Sequence, residues 1–123
     1  MNFIRFLVVL VAFGVATTSL ACDYPALITI PDGQTSTMAE MVSAQSAVTE
    51  YLAAMDGYID CVSDEIVATG DDAPAEYKSI MYSRHNTAVA EMEAVASMFN
   101  EQIAAFYDAN PPGPRPGGMG AGG

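Results

Sequence analysis

The sequence predicts an all-α fold: an antiparallel two-helix hairpin, coiled-coil-like, with an extended N-terminal arm and a Gly/Pro-rich tail. Three observations carry that reading. Apolar residues alternate at spacings of three and four along two long stretches, the mark of a helix–helix seam. Gly and Pro, apart from Gly57, fall between and outside those stretches. The two cysteines, Cys22 and Cys61, stand at the head of the arm and well inside the first helix, where a bond would fold one back on the other.

Residues 1–21 read as a secretory signal. Arg5 supplies the charged start, and an apolar run from Phe6 to Ala16 follows. Ser19 and Ala21 are small, as the two positions inspected by a signal peptidase require. The run is roughly a dozen residues, short of the ~20 that span a bilayer, and no other stretch approaches that length. The chain is therefore expected to be exported, periplasmic or secreted, with no membrane span. About 100 residues remain, enough for one small domain.

The arm covers residues 22–36. Pro25 and Pro31 exclude helix. Pro31-Asp32-Gly33 is a turn signature, because Pro presets φ and Gly tolerates positive φ. The first helix is expected over about 37–69. Thr37-Met38-Ala39-Glu40 opens it as a capping box, in which the Thr hydroxyl takes an orphan amide and the Glu reaches back to the cap. Met41, Val48, Met55 and Val62 form one line of the seam; Leu52, Ile59 and Ile66 form the other, broken at Gln45. Gly70 stops this helix, and Asp71-Asp72-Ala73-Pro74 turns the chain.

The second helix is expected over about 74–108. Met81, Ala88 and Val95 interleave with Met92, Phe99 and Phe106, while His85 and Gln102 also fall on the seam. Val89, Ala96 and Ile103 widen the stripe beyond what two helices need. Asn110-Pro111-Pro112-Gly113 ends the helix, and residues 110–123 are expected to be a disordered tail. So short a turn makes the helices antiparallel neighbours. Folding at Asp71 makes facing residue numbers sum to about 142. That register places Asp64 near Lys78, Asp56 and Asp60 near Arg84, and Val48 near Val95.

Two helices alone bury little, and the arm can supply a third surface. Cys61 lies ~24 residues into the first helix, about 36 Å from its start, and the arm can reach ~50 Å. A Cys22–Cys61 disulfide is therefore feasible, and export with an even cysteine count favours it. It would lay Tyr24, Pro25, Leu27, Ile28 and Ile30 along the hairpin. Ala47, Ala54, Cys61 and Ala68 recur every seventh position as a small-residue groove that could receive them. Gly57, costing about 1 kcal/mol inside a helix, points to close backbone approach or a kink. The rival fate of Cys22 is lipidation, which would make a small envelope lipoprotein. A lipobox wants Leu three residues before the Cys, where Ser19 stands here, with Leu20 one later.

Charge excludes several partners. Without Arg5 the bases are Lys78, Arg84 and Arg115, against 15 acids. Nucleic acid needs a Lys/Arg surface, so it is not an expected partner. Asp56, Asp60 and Asp64 form an acidic stripe at four-residue spacing, read as a solvated face. Met81, His85 and Met92 could offer thioether and imidazole ligands to copper, though Met is ordinary core filler. No cofactor is expected. One His without a matched Ser or Cys, and carboxylates lying on helix faces, assemble no catalytic site, so the chain is not expected to be an enzyme. Gln45 and Gln102 could pair across the helices and fix register, or could mark where a partner helix binds.

Ile30-Pro31-Asp32-Gly33, Met41, Ala44, Gln45, Val48, Tyr51, Tyr58 and Cys61, with His85 to Val89, Glu91-Met92 and Phe99 to Gln102, form a pattern across most of the chain. In it the sequence resembles a group of small exported bacterial helical-hairpin proteins of uncharacterised function. The resemblance implies a two-helix exported protein and no particular activity. Periplasmic stress chaperones built on long hairpins share the expected architecture, but their Leu-Thr-x-x-Gln motif is absent. The expected function is that of an interaction or structural protein, binding a protein partner or itself through Val89, Ala96 and Ile103. The alternatives are a periplasmic copper-binding protein using Met81, His85 and Met92, and a lipoprotein tethered at Cys22.

Overall fold

The computed structural model describes residues 22–113; the expected signal, residues 1–21, and the last ten residues of the expected tail lie outside them. The fold is all-α. Helix α1 runs over Met38–Thr69 and α2 over Ala75–Ala109, packed against each other as a hairpin. No strand occurs among the described residues, and no helix there is long and apolar enough to cross a membrane.

The ends of α1 follow the local chemistry. Thr37 Oγ1 accepts from the Glu40 amide at 3.2 Å, and Glu40 Oε2 accepts from the Thr37 amide at 2.7 Å, completing the capping box. Gly70 closes the helix at φ 71°, a conformation that favours glycine. Pro74, the expected start of α2, is its N-cap, so the helix begins one residue later, and Pro74 contributes its carbonyl to the Lys78 amide. At the far end the Asn110 side chain donates to the Phe106 carbonyl at 2.9 Å.

The core is one continuous cluster. From α1 it takes Met41, Val48, Tyr51, Met55, Tyr58 and Val62; from α2, Met81, Ala88, Val95, Phe99 and Phe106. The expected first line of α1 is buried in full. The second line differs: Tyr51 and Tyr58, three residues after Val48 and Met55, are buried, whereas Leu52, Ile59 and Ile66 are half-buried. The arm explains the difference. It covers the tyrosine side of the seam and leaves the Leu52 side open, so the hairpin has one closed flank and one bare one.

The arm returns along α1 from Cys22, which is bonded to Cys61 with Cα atoms 5.7 Å apart. Ile28 and Ile30 pack on the core, while Leu27 points outward. Ala54 and Ala68 remain exposed. The arm therefore lies over the tyrosine line between the helices and meets the alanine groove only at Ala47 and Cys61, which are half-buried. Gly57 shows neither expected feature: α1 passes through it unbroken, and nothing lies within 4 Å of where its Cβ would be.

Candidate functional site

Two flanks of the hairpin carry the chemistry. On the closed flank, Glu91 of α2 gathers hydroxyls from the two other elements. Tyr51 of α1 donates to its Oε1 at 2.6 Å, and Tyr24 of the arm donates to its Oε2. The Tyr24 ring stacks edge-on against Tyr58, with centroids 4.8 Å apart. The hydrogen bonds from Tyr24 and Tyr51 hold the Glu91 carboxyl below its ordinary range. Burial, then the bond to Glu91 and its charge, pushes the Tyr24 phenol up to about 12 and raises that of Tyr51 as well.

At the other end of the arm the backbone itself docks. Gly33 is buried, and its amide donates to Gln102 Oε1 at 2.9 Å. A Cβ on Gly33 would sit 1.9 Å from the Gln102 carbonyl oxygen. Gly33 does not take positive φ, so close approach, not turn geometry, is what calls for glycine. Asp32 shapes the turn at residues 33–35, accepting from the Gln34 amide through Oδ1 and from Ser36 through its carbonyl. Gln102 is thus spent on the arm, and Gln45 is exposed.

The open flank holds the expected interaction residues. Val89, Ala96 and Ile103 are half-buried, as are Leu52, Ile59 and Ile66 of α1 and Met92 of α2. Helical spacing sets 52, 59 and 66 of α1 and 89, 96 and 103 of α2 on the flank away from the arm; in the register of Tyr51 against Glu91 the two runs meet at Leu52 and Val89 and continue in opposite directions along the hairpin. Towards the turn this face opens into a cleft of about 390 Å³ lined by Ser63, Ile66, Val67, Tyr82, His85 and Asn86. Val67 and Tyr82 are well exposed there.

Of the metal candidates, Met81 lies in the core, whereas His85 and Met92 are half-buried. His85 Nδ1 is 3.4 Å from the Asn86 Oδ1. Among the described residues, Cys22, Cys61 and Glu65 bring donor atoms within 4.8 Å of one another, but both sulfurs are joined in the disulfide. That bond also uses the Cys22 sulfur that a lipid thioether would need. Lys78 donates to the Asp71 carbonyl, clamping the turn, and Arg84 is exposed. Comparisons with protein-family models, curated proteins and solved structures give no match.

Sequence reasoning laid Tyr24 along the hairpin and read Gly33 as a turn residue, but missed the hydrogen bonds of Tyr24 and Tyr51 to Glu91 and the close approach of Gly33 to Gln102. The available signal was the seven-residue step from Tyr51 to Tyr58, parallel to Val48 and Met55.

Proposed function

We propose that this is an exported interaction protein that binds a protein partner, or a second copy of itself, through the open flank of the hairpin. The observation that carries it is the asymmetry of the seam. The arm covers one side, while seven apolar residues of α1 and α2 on the other side stay half-buried. Uncovered apolar strips of this kind mark association surfaces. Export is supported by the leader pattern of residues 1–21 and by the Cys22–Cys61 disulfide, a bond that persists in oxidising compartments.

The test pairs light scattering with binding of a hydrophobic dye, on the chain from Cys22 onward. Dye binding that falls in Val89→Glu and Ile103→Glu supports the reading. A monomer that binds no dye overturns it.

A further inference from the structure

We infer that the arm is a redox-controlled strap: reduction of the Cys22–Cys61 bond frees residues 22–32 from the hairpin and uncovers the tyrosine line beneath, while α1 and α2 stay paired. The strap lies on the closed flank, so it holds or fails independently of association through the open one. The way the arm is held carries the inference. Among the described residues, no backbone–backbone hydrogen bond joins residues 22–32 to either helix; in this part of the chain such bonds run only from Thr35 and Ser36 to the Asp32 carbonyl and from Met41 to the Thr37 carbonyl. The polar fastenings sit at the two ends. At one end the Gly33 amide reaches Gln102 Oε1 at 2.9 Å. At the other stand the disulfide and, two residues on, the Tyr24 hydroxyl on Glu91. Between them Ile28 and Ile30 pack half-buried on the core, whereas Ala26, Leu27 and Thr29 are exposed.

Ordering an extended segment costs backbone entropy at every residue, and this one gains no helix or sheet ladder in return. The covalent bond offsets that cost by keeping the head of the arm at its site. Once it is cut, residues 22–32 become a chain end tethered at Gly33, and chain ends held by few contacts open locally. The hairpin does not share this dependence. Both helices carry their own backbone bonds, and the most deeply buried side chains, Met55, Val62, Met81 and Ala88, belong to α1 and α2. Both cysteines are half-buried, so a thiolate can reach the bond. A dithiol reductant attacks one sulfur, forms a mixed disulfide, and closes on itself with its second thiol. Cys22 and Cys61 gain two electrons and two protons as thiols, and the reductant leaves as a disulfide. Opening then takes the Tyr24 hydroxyl from Glu91 and lifts the Tyr24 ring off Tyr58. The oxidised chain presents one bare apolar flank; the reduced chain presents two.

The experiment compares the chain from Cys22 onward before and after treatment with dithiothreitol in the absence of denaturant, with alkylation and intact mass confirming that both thiols have formed. Two readouts are taken together: nuclear Overhauser contacts between the Tyr24 and Tyr58 rings and from the Ile28 and Ile30 methyls to the core, and helix content by far-ultraviolet circular dichroism. Reduction is expected to abolish the arm contacts and leave the helix signal unchanged. Reoxidation should restore the contacts. The double substitution Cys22→Ser and Cys61→Ser should show the open state with and without reductant. Arm contacts that survive confirmed reduction, or that persist in the double variant, overturn the inference, because the arm then holds itself. Loss of helix content together with the arm contacts overturns it as well, since the bond would then hold the whole fold. A bond that dithiothreitol leaves intact without denaturant also overturns it, because no reductant could then work the strap on the folded protein.

Discussion

Tyr51 of α1 donates its hydroxyl to Glu91 of α2 at 2.6 Å, joining residues 40 apart in the chain. Tyr24 of the arm donates to the same carboxylate. One side chain therefore fastens all three elements, and its chemistry sets the pH limits of the closed flank.

At high pH the fastening opens. The Tyr24 phenol titrates at about 12 in the folded chain against 10.0 in the unfolded one. A raised folded pKa means that its contribution is complete below pH 10 and lost as pH rises through about 12. Tyr51 shifts the same way. A tyrosinate absorbance titration should show two phenols titrating late; removing the charge of the acceptor in Glu91→Gln should bring both part of the way back towards 10, with burial holding them above it. Ordinary titration of all tyrosines in the parent protein would refute the shared acceptor.

At low pH the sign reverses. Glu91 has a folded pKa below the ordinary 4.5, so its contribution is present above that value and lost as pH falls through the lowered one. Urea midpoints between pH 5 and 2 should drop more in the parent than in Glu91→Gln. Parallel curves would show that the carboxylate does not matter.

Gly33→Ala forces a methyl into the Gln102 carbonyl. The arm must lift from α2, at a cost of about 1–3 kcal/mol by the usual scale of overpacking. Thermal melts should report the loss, and exchange protection of the Gly33 amide should vanish. A variant as stable as the parent would mean that the arm does not sit there in solution.

Gly57→Ala acts in the opposite direction. The position is helical, exposed and free of neighbours, so the substitution should stabilise by up to about 1 kcal/mol through lower backbone entropy in the unfolded chain. Destabilisation would show that something packs against Gly57 in solution.

Intact mass with and without reduction checks the disulfide. Mature chain starting at Cys22 should be two hydrogens light and should take up two alkyl groups only after reduction. Breaking the bond with Cys22→Ser and Cys61→Ser should cost about 4 kcal/mol in the chain-entropy model for a loop of this size. A mass heavier by a diacylglycerol and an acyl chain would establish the lipoprotein alternative instead.

Local chemistry made much of this legible. The Thr37–Glu40 box, Gly70 and Asn110 mark the helix ends to within a residue, because caps are short-range. The sulfurs were pairable from reach alone. The tyrosines were not, since hydrophobicity ranks Leu52, Ile59 and Ile66 above Tyr51 and Tyr58, and their burial depends on distant partners: the Tyr24 ring covers Tyr58, and Tyr51 needs an acceptor for its hydroxyl. That acceptor lies on the other helix, and no spacing within α1 reveals it. Gly33 was misread for a similar reason: a turn is visible in four residues, but the α2 backbone pressing on it is 69 positions away.

The disulfide has a topological consequence. It closes a ring made only of the arm and the first part of α1, from Cys22 to Cys61. The α2 segment lies outside that ring, attached through the exposed turn at Gly70–Asp72 and otherwise by contacts alone. A protease cutting that turn would convert the protein into a two-chain complex whose halves no covalent bond joins. Its survival would then depend on dilution, and the separated N-terminal piece would still be a closed loop.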